Sequence, residues 1–546
     1  MDTTHSGEVD ELMNWLLDLM LVLLLAMPLL SGVVLVLLPD LTKSMVRVFS
    51  LLATLATFVL SLIGACFFDW SNPAALSFVK SVEWVGAFGL QFGFGVNAIS
   101  MWLVLLTTFL MPLVVLGSFS AIQDRVKEFF LWLLILESAM LGVFVATDIV
   151  FFHICFEFTL IPLYFLIGIY GSAQRLKAAR VFFLYTFTGS MLTFSGLLYV
   201  AWRCDWVFSI ATLYELAPQR LSEIEQAWVM GAMLAGFAVK VPLFPLHTWL
   251  PLAHTEAPTA GSVILAGVLL KLGTYALLQL AIPIAPIAAD QFAPIIGLLA
   301  VVGILYAALI CWVQKDIKKL IAYSSVSHLG FCVLGMFAFN AEGMAGSVMY
   351  MINHGLSTGA LFLCVGMIYE RFHTRQMSQM QGLAQIMPVW SFFMVFFCLA
   401  SVGLPGLNGF VGEFLTLLGA FRAKYVLGPP YAVMAGFGLI FAAIYILFMV
   451  GKVVFGPLKV PRVENGHCLS CDLNLREIVT LTPLAAGCLW LGLQPSFILD
   501  TLTEPLEKIV EHLPQRTAVA HYTVDYPRIE VRMHMPMAQA TKHAGL

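Results

Sequence analysis

Charge is what this chain has least of. Only 11% of its 546 residues are Asp, Glu, Lys or Arg, against about 25% in a soluble globular domain, which excludes a water-soluble fold. The near balance of 28 basic and 32 acidic residues offers no positively charged surface for nucleic acid. No Gly-rich nucleotide fingerprint follows a strand, and no cysteine run has the spacing of an iron–sulfur cluster. Ten cysteines are scattered along the chain. Only Cys468 and Cys471 share a C-x-x-C spacing, and a lone pair without a histidine or a second pair reads as an ordinary loop. Neither a metal site nor a cofactor is expected on this chain. The N-terminus, MDTTHSGEVDELMNW, has no basic region of the signal-peptide kind, so Leu16–Leu38 is expected as a retained first helix.

What remains is apolar: 60% of the residues are hydrophobic. They gather into about fourteen continuous runs, each near the roughly 20 residues needed to cross a bilayer as a helix. The runs do not alternate, so a membrane β-barrel is excluded. The expected fold is an all-α polytopic membrane protein of about fourteen spans. With the N-terminus outside, sixteen Lys and Arg fall on cytoplasmic loops, Lys315, Lys318 and Lys319 among them, and five on outer loops. That bias predicts both termini on the outer side. The expected divisions are a three-helix segment (1–120), a core (121–460), a loop and last helix (461–502) and a polar tail (503–546).

Four charges interrupt the apolar runs: Glu157, Lys240, Lys271 and Glu413. Each at a bilayer centre costs roughly 2.5–3.5 kcal/mol, so a chain that keeps two acids and two lysines there is using them. Two spans also carry breaks. The seventh has Pro242 and Pro245 just after Lys240; the twelfth has Gly403, Pro405, Gly406, Gly409 and Gly412 just before Glu413. Proline removes an amide donor and clashes with the preceding turn, and freed carbonyls at membrane depth are tolerated only against protein or a watery cavity. Breaks five spans apart, each beside a charge, suggest two inverted five-helix repeats, spans 4–8 and 9–13.

Glu157 is the natural partner of Lys240; at about 4 Å and an effective dielectric near 20 their attraction is roughly 4 kcal/mol. Moving the acid away makes the lysine release its proton, which is a switch. Lys271 is mid-span, too far from either interface to snorkel. Glu413 is the candidate terminal site. His328 and His354 lie within spans and are expected to bridge Lys271 to Glu413, since imidazole titrates near neutral pH. Glu137 is a further intramembrane acid and a possible second partner of Lys240. His247 and His254 flank the cytoplasmic turn and are expected to shape an input path. His153 reads as structural.

Five strings carry a resemblance: FAVKVPLFPLHTWLPLAHTEAPTAGSVILAGVLLKLGTYALL (237–278), YSSVSHLGF (323–331), NHGLSTGALFL (353–363), GLPGLNGFVGEF (403–414) and DLNLRE (472–477). Together they resemble the antiporter-like membrane subunits of respiratory complex I, most closely the M branch, over about residues 125–460. The resemblance implies that Glu157 and Lys240 are the family's paired residues, Lys271 its central lysine and Glu413 its exit-side acid. At that last position the L and N branches and the Mrp-type sodium/proton antiporters are expected to carry Lys. One departure is Leu252, where the family usually has an acid. The implied function is proton translocation in a bacterial inner-membrane NADH:quinone oxidoreductase. FMN, iron–sulfur clusters and quinone are expected on partner subunits, and L- and N-type subunits as neighbours. The alternatives are an Mrp-type cation/proton antiporter subunit and the membrane subunit of an energy-converting hydrogenase or ferredoxin-linked dehydrogenase.

Overall fold

The helix ends are written into the few polar residues the chain has. Asp148 caps the helix that follows it by accepting from the amides of Val150 (2.7 Å) and Phe151 (3.1 Å). Asp316 does the same for Lys318 (2.9 Å) and Lys319 (3.2 Å). Ser222 with Glu225 and Asn474 with Glu477 form reciprocal capping boxes. Such partners satisfy the amides that a helix start leaves bare.

The computed structural model describes residues 19–86, 89–461 and 472–514. Among them, 11 helices are long and apolar enough to cross a membrane, or 12 if the pair Leu475–Leu493 and Ser496–Glu511, bent by 68°, is one span. The shortfall from fourteen falls on the interrupted stretches. Glu223–Lys240 carries two acids and a lysine. Beyond it, the other stretch is divided into Pro388–Ser401 and Asn408–Arg422, of 14 and 15 residues. The span Ile149–Tyr170 is itself interrupted at Thr159.

The expectation of an all-α chain needs one correction. Ser77–Val85 and Leu90–Val96 pair as an antiparallel hairpin. The run SFVKSVEWV supplies the β-branched and aromatic residues that suit a pleated strand. The last helix, Ser496–Glu511, also runs through residue 503, where the polar tail was expected to begin. Its buried residues Ile498, Leu502, Leu506 and Ile509 recur at helical spacing, which gives it one apolar face.

Two helices form the inside of the bundle. Thr259–Ile284 and Ala341–Phe372 are buried throughout their spanning windows, whereas Met20–Leu37, Lys43–Phe67 and Pro429–Val453 keep most of theirs open to lipid. Ala341–Phe372 packs closely on Asn408–Arg422. A Cβ on Gly419 would meet the backbone of Gly343 and lie 2.8 Å from Asn340 Oδ1. Gly419→Val is therefore expected to hold these helices apart at a cost of at least about 1–3 kcal/mol, the usual range for overpacking. The check is the yield of assembled protein in detergent, which should fall sharply, while Gly436→Val, at a position with open space, should not change it.

Candidate functional site

The chain breaks position the charges. Glu223–Lys240 ends at Lys240, and the carbonyl of Val239, freed by the break, accepts from the indole of Trp249 at 2.9 Å. Lys240 is buried. Its Nζ donates to Thr159 Oγ1 at 3.2 Å and sits 4.3 Å from the centroid of the Phe156 ring. Thr159, where the helix carrying Glu157 is interrupted, donates in turn to the Phe156 carbonyl at 2.8 Å. The expected direct pair between Lys240 and Glu157 is thus not formed. Both Glu157 oxygens are buried without a hydrogen-bond partner, and nearby Ser190 donates to the Phe187 carbonyl instead, at 2.9 Å. The amine is taken instead by a threonine two residues from the acid.

Glu137 is fully buried with both oxygens unpartnered, and neither is joined to Lys240. His247 is buried in the turn after the first break, its ring near Phe244 and Tyr306. His153 stacks on Phe194 at 4.2 Å, in keeping with a packing role.

Glycine sets the helix that carries Lys271 against Lys240. A Cβ on Gly273, two residues beyond Lys271, would fall 3.0 Å from Lys240 Cβ, so only glycine lets the two backbones approach this closely. Lys271 itself lies between two π-helical turns, Leu265–Leu269 and Leu277–Ala281. Such turns open the i→i−4 ladder. Here the Ala266 carbonyl accepts from Lys271 Nζ, which also bonds His354 Nδ1 at 2.8 Å.

The hydrogens on this chain of groups can be assigned by their partners. An ammonium only donates, so His354 Nδ1 accepts and the imidazole carries its proton on Nε2. That Nε2 is buried without a partner and borders a cavity of ≈ 10 Å³ lined by His328, Asn353, Thr358 and Ser401, among others. This is about the smallest space that holds one water. Across it the ring centroids of His354 and His328 are 5.8 Å apart.

On the far side, Tyr350 Oη donates to Glu413 Oε1 at 2.8 Å. Its one proton being used, the tyrosine oxygen accepts from His328 Nδ1. Ser401 Oγ stands 3.3 Å from His328 Nε2, which fits a neutral ring protonated on Nδ1. His328 Nδ1 to Glu413 Oε1 directly is 3.6 Å, too long for a hydrogen bond. Tyr350 is therefore the bridge.

The second break holds the acid end. Gly403 takes φ +79 there, with its α-carbon face turned to Glu413 Oε2. A side chain at that position would be strained and would collide with the carboxylate. Asn353 Nδ2 donates to the Asn408 carbonyl at 2.6 Å and Asn408 Nδ2 to the Asn353 carbonyl at 3.2 Å. This reciprocal pair pins the break to the helix that carries Tyr350 and His354.

Of the residues singled out in the sequence, the structure brings Lys271, His354, His328 and Glu413 into one buried row; Tyr350 and Thr159 were missed. Cys468 and Cys471 lie outside the described residues. Among the described residues, no group of three or more His, Cys, Asp or Glu is arranged to hold a metal ion.

The chain is similar to known proteins over most of its length. The family model for NADH:quinone oxidoreductase/Mrp antiporter transmembrane subunits matches residues 146–438. NADH-quinone oxidoreductase subunit M of Rhodobacter capsulatus is 42% identical over 472 residues, 85% of this chain and 90% of that protein. NADH-ubiquinone oxidoreductase chain 4 of Marchantia polymorpha is 39% identical over 490 residues, 90% of this chain and 96% of that protein. Among solved structures, a chain of respiratory complex I from Thermus thermophilus superposes with a TM-score of 0.80 at 30% identity, over 90% of this chain and 100% of that one. A chain of the Mrp complex from Dietzia sp. DQ12-45-1b gives 0.79 at 19% identity, over 92% of this chain and 99% of that one, a likeness of fold alone.

Proposed function

The chain belongs to the NADH:quinone oxidoreductase/Mrp antiporter membrane family, among the homologues of subunit M and chain 4, and from that premise we propose how it moves protons. Electron transfer on partner subunits, which hold FMN, iron–sulfur clusters and quinone, drives a charge or conformational change at Lys240. Its partner alternates between Thr159, as found here, and Glu157. Leaving the acid weakens the hold on the Lys240 proton, and an attraction of about 4 kcal/mol exceeds the roughly 2.3 kcal/mol needed per charge against 100 mV. The proton passes to Lys271. From Lys271 it enters His354 at Nδ1; the Nε2 proton crosses the small cavity to His328; the Nδ1 proton of His328 goes to Tyr350 as Tyr350 gives its own to Glu413. Both histidines end in the opposite tautomer and must turn back before the next cycle, and Glu413 releases to the outer side.

The single observation that carries this reading is the row Lys271–His354 and His328–Tyr350–Glu413, hydrogen-bonded except for one water-sized gap, with Lys271, His354 and Tyr350 on the two most buried helices and His328 and Glu413 on helices packed against them. We further propose fourteen spans in two inverted repeats, counting Glu223–Lys240 and the stretch broken between Ser401 and Asn408 as one span each. Both termini then lie outside a bacterial inner membrane, with L- and N-type subunits as neighbours. An Mrp-type antiporter subunit is the second reading; an acid at 413 in place of the expected lysine disfavours it. The test is Glu413→Gln in the assembled complex, read as protons moved per electron.

A further inference from the structure

The sequence puts Lys318 on a basic loop beside Lys315 and Lys319. Lys315 is exposed and Lys319 half-buried, but Lys318 is only 6% exposed. Its Nζ donates to the Ala257 carbonyl at 2.5 Å, just past the helix Trp249–Glu256. A lysine at a helix C-terminus is favourable in itself, and three further features give this one more to do.

The first is a supply. Glu256 is buried at 7% exposure, and the backbone amides of a surface groove of ≈ 720 Å³, formed by Gly171–Lys177, grip it. Ser172 donates to the Glu256 carbonyl and Gln174 to its carboxylate, both at 2.8 Å. The second is a seal. Asp316 pairs with Arg375 at 3.3 Å, and Arg375 also bonds the Thr255 carbonyl, so of the two acids near enough to act on Lys318, Glu256 is the one in no ion pair among the described residues. The third is a receiver. His254, two residues before Glu256, is fully buried and stacked on Phe362 at 4.8 Å, and both its ring nitrogens lack partners. Lys318 and Lys271 both lie near enough to His254 to act on it electrostatically.

We propose that Lys318 is the uptake-side proton carrier for Lys271, loaded from the Gly171–Lys177 groove through Glu256 and unloading through His254. This rests on the relay proposed above. Glu256 takes a proton from groove water and gives it to the neutral Lys318 amine. The resulting ammonium gives it to one nitrogen of His254, whose other nitrogen passes a proton to deprotonated Lys271. Glu256 and Lys318 then stand as they began, Lys271 is reloaded, and His254 is left in the opposite tautomer, which a turn of its ring resets.

The experiment compares Lys318→Arg and Lys271→Met in the intact complex in proteoliposomes, measuring protons moved per electron. Arginine keeps a cation able to bond the Ala257 carbonyl but does not give up its proton, so a mere cap survives and a carrier does not. The expected result is that Lys318→Arg loses the same share of pumping as Lys271→Met. Normal pumping in Lys318→Arg beside a deficient Lys271→Met would overturn the carrier role and leave the relay standing; normal pumping in both would overturn both. Should Lys318→Arg fail to assemble, Glu256→Gln takes its place. It keeps an oxygen for the Gln174 amide, is expected to lose the same share, and overturns the proposal if it pumps normally.

Discussion

Lys271→Met is expected to abolish pumping through this subunit while the complex still assembles. Methionine has the length of lysine and no amine. Removing a buried charge relieves an insertion cost of roughly 2.5–3.5 kcal/mol. Against that, the Ala266 carbonyl and His354 Nδ1 lose their donor, at about 1–3 kcal/mol for each buried group left unsatisfied. The two effects are of similar size, so stability should change little. The proposed proton path, by contrast, loses the amine that bonds His354. Loss of a positioned proton carrier typically slows transfer by about 10²-fold or more. The check pairs complex yield with protons moved per electron; near-normal yield with this subunit's share of pumping missing is the expected outcome.

Tyr350→Phe is the more selective change. It removes one oxygen and leaves the ring, so the packing of Ala341–Phe372 should be retained. Without that oxygen, His328 and Glu413 face each other across 3.6 Å, beyond hydrogen-bond reach. Transfer through the pair is expected to slow by about 10²-fold, seen as loss of pumping at undiminished electron transfer. Unchanged pumping would mean that His328 closes on Glu413 directly and that the tyrosine is a spectator.

Why Tyr350 was not legible in the sequence is plain in physical terms. A lysine or glutamate in an apolar run has no inexpensive explanation, so Lys240, Lys271 and Glu413 announce themselves. A tyrosine is at home in a membrane helix and announces nothing. The one available signal was spacing: Tyr350 is four residues before His354 and so shares its face. Lys318 was hidden by its basic neighbours, although Asp316 as a helix cap places it inside the first turn of a span rather than on a loop.

The broken helices were legible from proline and glycine, because those residues change what the backbone can do. The contact between Lys240 and Glu157 was not, because sequence sets which charges can meet and rotamers set which do. Thr159, at the interruption of its helix, holds the amine instead. The hairpin of Ser77–Val85 and Leu90–Val96 was not legible, because the strong hydropathy signal of the spans drowns a short strand signal.

The central claim is that protons cross this chain along one buried row that ends at Glu413. Glu413→Gln tests it most directly. The amide has the same shape and keeps an oxygen for the Tyr350 hydroxyl, but it cannot take up a proton in the relay. Measured in proteoliposomes as protons moved per electron, the assembled variant is predicted to keep its electron transfer and lose this subunit's share of pumping. An unchanged ratio would contradict the account.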